Sequence, residues 1–337
     1  MSPKSSNQKI HFSRLGSLQP IINFFEKQGL SVQKHLRQAG ISDDLMANSE
    51  WPIPKRLQWK FVTACCKADD IEYIGLLVGI EGSVEDLGEF GEFLLDSGTV
   101  GDYLTKGCRF INTMSSGEYY WLMEEGDQLR FCVSIFGLQG NHLIQNYLYI
   151  LLLTINVIRQ ATNESWCPTE LILPHMKAGT AARLAEYLPE TEISADGIYA
   201  SFLVPYAFLE KPMTQRSIPV DVPHESIPPD FKTSVIETIK ILIFSRRTGL
   251  QDTVKLSGLS SRTFQRKLKK LGVTYTDLLL EARMDVARQW IENSDLSITD
   301  ISKALGYRSP SNFSRAFRGL VGQSPSAYQN QSKINTT

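Results

Sequence analysis

Two segments of this 337-residue chain repeat one pattern 49 positions apart, and that repeat constrains the fold more than any other feature. The first is SSRTFQRKLKKLG, Ser260 to Gly272. The second lies within ITDISKALGYRSPSNFSRAFRGLVGQSPSAY, where Phe313 matches Phe264, Arg315 matches Arg266 and Phe317 matches Leu268. On a helix, Arg262, Arg266 and Lys270 recur every four residues and share a face, with Lys269 beside it. Phe264, Leu268 and Leu271 fall on another face at i, i+4, i+7 and can enter a core. Upstream of the first copy, TVKLSGLS reads as a short helix ending in a turn at Gly258, and Gly306 plays that part in the second. Ser260 or Ser261 can cap the first basic helix, and Thr299 or Asp300 the second scaffold helix. Pro310 falls in the first turn of the second basic helix, where a missing N–H costs little. Short helix, glycine turn, capped basic helix is the helix-turn-helix layout. A solvated lysine-rich surface helix has no reason to recur with its core residues in register.

Between the copies, YTDLLLEARMDVARQWIEN reads as one long amphipathic helix whose apolar stripe includes Leu278, Ala282, Val286 and Ile291. If that helix is rigid, it holds the two basic helices at a fixed separation. Successive major grooves on one face of B-DNA are roughly 34 Å apart, so a single chain can read two adjacent grooves of double-stranded DNA. The charge distribution agrees. The formal net charge is −1, but from Lys232 onward 17 Lys and Arg face 8 Asp and Glu, leaving +9, while residues 1–231 carry 18 against 28, leaving −10. An acidic part joined to a basic part implies two jobs, one of them involving a polyanion.

The sign of the charge changes at SIPVDVPHESIPPD, Ser217 to Asp230. Its prolines remove backbone donors and hold their predecessors extended, so it reads as a stiff linker rather than a helix or central strand. This predicts three parts: residues 1–216, a linker over 217–230, and a helical domain over 231–330. Ahead of the linker the pattern is mixed α+β. PIINFFEKQGL, PKRLQWKFVTACCKA and HLIQNYLYILLLTINVIRQA have helical spacing. GEYYWLMEEGDQLRFCVSIFG reads as a hairpin turning at Glu125-Gly126-Asp127, and TELILP and GIYASFLVP as further strands. The run Tyr147 to Ile158 is too short to span a bilayer, and Gln145, Asn146 and Asn156 flank or interrupt it, so no membrane partner is expected. The N-terminal MSPKSSNQKIHF lacks the apolar stretch of a secretory signal. With 42% hydrophobic and 21% charged residues and five cysteines without a C-x-x-C pair, the expectation is a globular cytoplasmic protein with reduced thiols.

The residues resemble the AraC/XylS family of bacterial transcription regulators. The likeness rests on GLSSRTFQRKLKKLG and on DISKALGYRSPSNFSRAFRGLVGQSPSAY, and covers about the last 90 residues. Val254 and Ser302 stand where the family usually has alanine, and Gln329 where arginine is common. SVEDLGEFGEFLLDSGTVGDYLTKGCRFI and ASFLVPYAFLEKPM are similar to the arabinose-binding-like domain found in the branch related to ornithine-utilisation and virulence regulators. The resemblance implies a sensory or self-associating α+β domain ahead of an all-α DNA-binding domain, a homodimer, and activation through contacts with RNA polymerase. By motif position it assigns base reading to Arg262, Gln265 and Arg266 in the first unit and to Ser311, Asn312 and Arg315 in the second. Arginine suits guanine and glutamine suits adenine. Lys267, Lys269, Lys270, Arg308 and Arg318 are the candidates for phosphate contacts. Phe264, Leu268, Leu305, Phe313 and Phe317 are expected in the core. Tyr307 is expected to pack and Trp290 to wedge into the core or between the two units.

For the first domain, Tyr119, Trp121, Phe131, Tyr199, Phe202 and Tyr206 are candidate linings for a small apolar or amphipathic effector. They equally fit a plain domain core, with the domain serving only for dimerisation and polymerase contact. No cofactor or metal is expected, and neither is catalysis. His11, His35, His142, His175 and His224 are scattered, and neither a G-x-S-x-G nor a P-loop occurs. A methyl-accepting repair protein needs a reactive cysteine, and Cys65 and Cys66 lack a basic or metal-ligand neighbourhood for one.

Overall fold

The computed structural model describes residues 10–136, 138–162, 165–213, 230–244, 248–293 and 296–335. Residues 217–229 of the expected linker lie outside them. By their contacts the described residues fall into two units, 11–39 with 48–213, and 10 and 40–47 with 230–335.

The first unit is built on a five-stranded sheet in the order Glu118–Glu125, Gln128–Ile135, Ala200–Pro205, Glu170–Ile172, Glu192–Ser194. The first two strands form the expected hairpin, paired from Glu118 with Ile135 to Glu125 with Gln128. Gly126 closes the turn with φ +61°, the sign that tight hairpin turns demand. The last two strands run parallel, joined across the helix Ala178–Tyr187, and the other pairs are antiparallel. Arg130 ties its own strand to three others. It makes a bidentate pair with Glu125 at 2.5 and 2.7 Å and reaches Glu170 at 2.9 Å and Ser201 at 3.2 Å. A separate two-stranded ribbon pairs Phe12–Arg14 with Pro52–Pro54. Short strands such as these and Glu192–Ser194 leave too few residues for a period-2 signal in the sequence.

The long apolar helix spans Gly140–Thr162, and Leu148, Leu151, Leu152, Ile155 and Ile158 are fully buried along it. No helix among the described residues is long and apolar enough to cross a membrane. Helix Ile74–Glu81 lies against it so closely that a Cβ at Gly75 would sit 1.8 Å from the Gln145 carbonyl oxygen. The polar residues of the apolar run serve this contact. Gln145 Oε1 accepts the Gly75 N–H at 2.8 Å, and Asn156 Nδ2 donates to the Gly79 and Ile80 carbonyls at 3.0 and 3.1 Å.

Among the described residues of 230–335, the long segment of the second unit, every regular element is a helix. Helix Phe231–Phe244 is followed by scaffold helix Leu250–Ser257 and recognition helix Ser261–Leu271, then by the connecting helix Tyr275–Asn293. The second scaffold helix Ile298–Ala304, the second recognition helix Pro310–Val321 and a last helix, Pro325–Asn335, complete it. Leu278, Ala282, Met284, Val286, Ala287 and Ile291 bury the apolar stripe of the connecting helix. Helix Phe231–Phe244 braces both neighbours. Its Phe231 ring meets Phe264 at 5.4 Å, and its Lys232 and Lys240 pair with Glu281 at 3.0 Å and Asp285 at 3.1 Å on the connecting helix.

Candidate nucleic-acid interface and buried cavity

The two turns that aim the recognition helices are built alike. Gly258 ends the first scaffold helix at φ +74°, and Gly306 follows the second at φ +79°, both left-handed conformations that side chains disfavour. Ser260 Oγ accepts the Thr263 N–H at 3.2 Å, and Ser309 Oγ accepts the Asn312 N–H at 3.3 Å, so matching serines cap the two basic helices. Pro310 occupies the first position of the second one. The second scaffold helix is capped by Ser297, whose Oγ accepts the Asp300 N–H at 3.1 Å. The expected caps Thr299 and Asp300 are already inside it, because the helix starts at Ile298.

Phe264, Phe313 and Phe317 are fully buried and Leu268 and Leu305 nearly so, as their spacing implies. Leu271, placed in the core by the same spacing, is 49% exposed. It is the last residue of its helix, where the chain turns away at Gly272. With the core faces anchored, Arg262, Gln265, Arg266, Lys269 and Lys270 of the first helix project into solvent. So do Ser311, Asn312, Arg315 and Arg318 of the second, with Arg308 in its turn. Lys267 departs from this group. It is half-buried, and its ammonium sits 5.2 Å from the centre of the Phe231 ring, a cation–π contact that draws it toward the bracing helix. Tyr307 packs, its ring 5.5 Å from Phe313 with the Arg283 guanidinium 5.2 Å from its centre. Trp290 is half-buried.

A cavity of about 90 Å³ lies inside the first unit. Helices Ile74–Glu81, Val100–Met114 and Gly140–Thr162 form much of its wall, contributing apolar groups such as Val78, Ile111, Ile150 and Leu153. Its polar side is a buried cluster around Glu118. Glu118 Oε1 accepts from Lys55 Nζ and Ser115 Oγ, each at 2.6 Å, and Oε2 accepts the Tyr120 hydroxyl at 2.9 Å. Ser13 Oγ lies 3.0 Å from Ser115 Oγ. Burial opposes ionisation of Glu118, but the Lys55 ammonium and the three donors outweigh it and hold the carboxyl below its usual range.

None of the six aromatics singled out in the sequence lines this cavity. For Tyr119 and Trp121 strand parity is the reason. Tyr120 and Glu118 face the cavity, so Tyr119 and Trp121 face the opposite side of the sheet. There Tyr119 is 51% exposed and Trp121 stacks edge-on with Tyr199 at 4.9 Å. Phe131 and Phe202 are core residues, their rings 5.5 Å apart, and the Phe131 ring meets that of Tyr120 at 5.6 Å. Tyr206 opens a short exposed helix, Tyr206–Leu209. The residues that do line the cavity come from scattered helices, and only the tight Gly75-x-x-x-Gly79 spacing hinted at them. His175 is exposed. Burial pushes the thiols of Cys65 and Cys66 up to about 12 and about 11, so neither supplies the thiolate that methyl transfer requires.

Residues 29–213 match the family model for the arabinose-binding N-terminal domain of AraC transcription regulators, which is more than half of the chain. The chain belongs to the AraC family of transcription regulators. Residues 254–331 match a helix-turn-helix domain. Among curated relatives, the transcriptional activator NphR of Rhodococcus is 37% identical over 82 residues, 24% of each chain. The ornithine utilization regulator of Pseudomonas aeruginosa is 30% identical over 103 residues, 30% of each. The chain thus matches 24% and 30% of the length of these relatives. The crystal structure of the regulator CdpR from Pseudomonas aeruginosa aligns over 94% of this chain and 98% of its own, with 18% identity and a TM-score of 0.43. The two scaffold helices bury Val254 and Ser302 respectively, and the Ser302 hydroxyl finds no hydrogen-bond partner.

Proposed function

We propose that this chain is a sequence-specific regulator of transcription that lays its two recognition helices in adjacent major grooves of promoter DNA. One observation carries this reading: two serine-capped basic helices, each with a buried phenylalanine anchor and an exposed polar face, packed into one helical unit with the helix that joins them. In the first, Arg262, Gln265 and Arg266 read bases. In the second, Ser311, Asn312 and Arg315 do so with shorter reach, so the first half-site carries more of the specificity. Lys269, Lys270, Arg308 and Arg318 hold phosphates, and Lys267 contributes from a half-buried position.

Residues 1–216 sense a small molecule, self-associate, or both, and residues 217–230 link them to the reader over 231–330. The protein acts in the cytoplasm as a homodimer and activates through RNA polymerase, in keeping with the activator name of its Rhodococcus relative. Effector binding shifts the population competent to bind DNA.

The test selects duplexes from a random pool and measures affinity on a panel of single-base variants. Arg262→Ala should relax preference at one base pair by about 1–3 kcal/mol. Lys270→Ala should weaken every duplex alike and lower the salt slope by about one. Identical behaviour of the two variants, or no duplex preferred over bulk competitor, overturns the reading.

A further inference from the structure

The cavity of the first unit deepens the effector-controlled reading, on which this inference rests, by limiting what the effector can be. Three features of its lining set those limits.

The first is charge. Among the described residues that line it, Glu118 alone is ionised, and the Lys55 ammonium at 2.6 Å neutralises it. An organic anion or cation would enter without a counter-charge, and an unpaired buried ion is expensive. The second is polarity. Most of the wall is aliphatic or aromatic, so a sugar would leave several hydroxyls without partners. The third is a pair of unused donors. The Tyr149 hydroxyl and the Trp59 indole N–H are both buried without a hydrogen-bond partner, and both residues line the cavity. An indole N–H only donates. Burial, with a lesser contribution from Asp86, keeps the Tyr149 hydroxyl protonated and able to donate throughout the physiological range. Trp59 is fixed in place by the stacked His142 ring, 5.0 Å away.

We propose that this cavity binds a compact, uncharged, mostly apolar molecule whose hydrogen-bond acceptor takes the donors of Tyr149 and Trp59. The volume of about 90 Å³ limits the guest to no more than about one ring. Neither the arabinose of the family model's name nor a long-chain acid fits these limits.

The test is titration calorimetry on the full-length protein without DNA, so its outcome bears on the cavity alone and not on the reading of bases. The probes are acetophenone, ethylbenzene and benzoate: a neutral ring with an acceptor, its counterpart without one, and an anion. Acetophenone should bind once per chain, about tenfold tighter than ethylbenzene, with benzoate undetected. Tyr149→Phe keeps the ring and removes one donor. It should cut the preference for acetophenone about threefold while leaving the unliganded melting temperature unchanged or higher, because the lost hydroxyl had no partner. Benzoate binding as tightly as acetophenone, ethylbenzene matching it, or no heat from millimolar acetophenone each overturns the proposal.

Discussion

The two units put their working groups in opposite places. In the helical unit they are outside: the anchors Phe264, Phe313 and Phe317 are buried so that arginines, lysines and a glutamine of the same helices can face solvent. In the sheet-based unit they are inside: Glu118, Tyr120, Ser115 and Tyr149 line a cavity, with Lys55 paired to Glu118 behind it, while aromatics such as Tyr119 stand on the surface. A surface that meets a polyanion can be assembled from one helix at a time, because one face buried and one exposed is a local property. An enclosed site needs groups from distant parts of the chain to converge, and its stability is bound up with its chemistry.

That contrast is open to direct attack. The largest effect is expected at Glu118. Glu118→Gln leaves the Lys55 ammonium buried without its partner and should cost about 3–5 kcal/mol in denaturant unfolding. Acid should act the same way. The folded carboxyl titrates below its ordinary value of 4.5, so its stabilising contribution is complete above that value and is lost as pH falls through it toward the folded pKa. A variant as stable as the parent would show that the polar cluster is surface-like after all. Next comes Gly75→Ala. Its methyl group would meet the Gln145 carbonyl at 1.8 Å, and forcing the two helices apart should cost about 1–3 kcal/mol and reshape the cavity wall, seen as altered acetophenone affinity. The smallest effect, of opposite sign, is expected in the helical unit. Ser302→Ala removes an unpaired buried hydroxyl and should stabilise by about 1 kcal/mol without changing base preference, measured by thermal melting and duplex binding.

The same contrast explains what could be read ahead of the structure. The repeat fixed the helical unit because a 49-residue offset preserves core, cap and glycine positions together, and each of these is a local signal. Where it misled, the cause was also local: Leu271 keeps the apolar period but falls at the helix end. The contact of Lys267 with Phe231, a residue outside the motif, gave no such signal. In the sheet unit the hairpin was legible from Gly126 and its flanking strands. The cavity was not. Its walls come from helices far apart in sequence, and a cluster of aromatics in strands gives no sign of which face has a void behind it. Tyr119 and Tyr120 are neighbours in the chain, yet only one of them reaches the cavity.

The connecting helix Tyr275–Asn293 carries a consequence for how such a chain can change over time. On the proposed reading, exchanging side chains on either recognition helix would alter which letters are accepted. One extra residue in the rod between them would swing everything downstream by about 100° and push it 1.5 Å along the axis. The sites such a protein accepts can therefore drift in spelling but not in spacing.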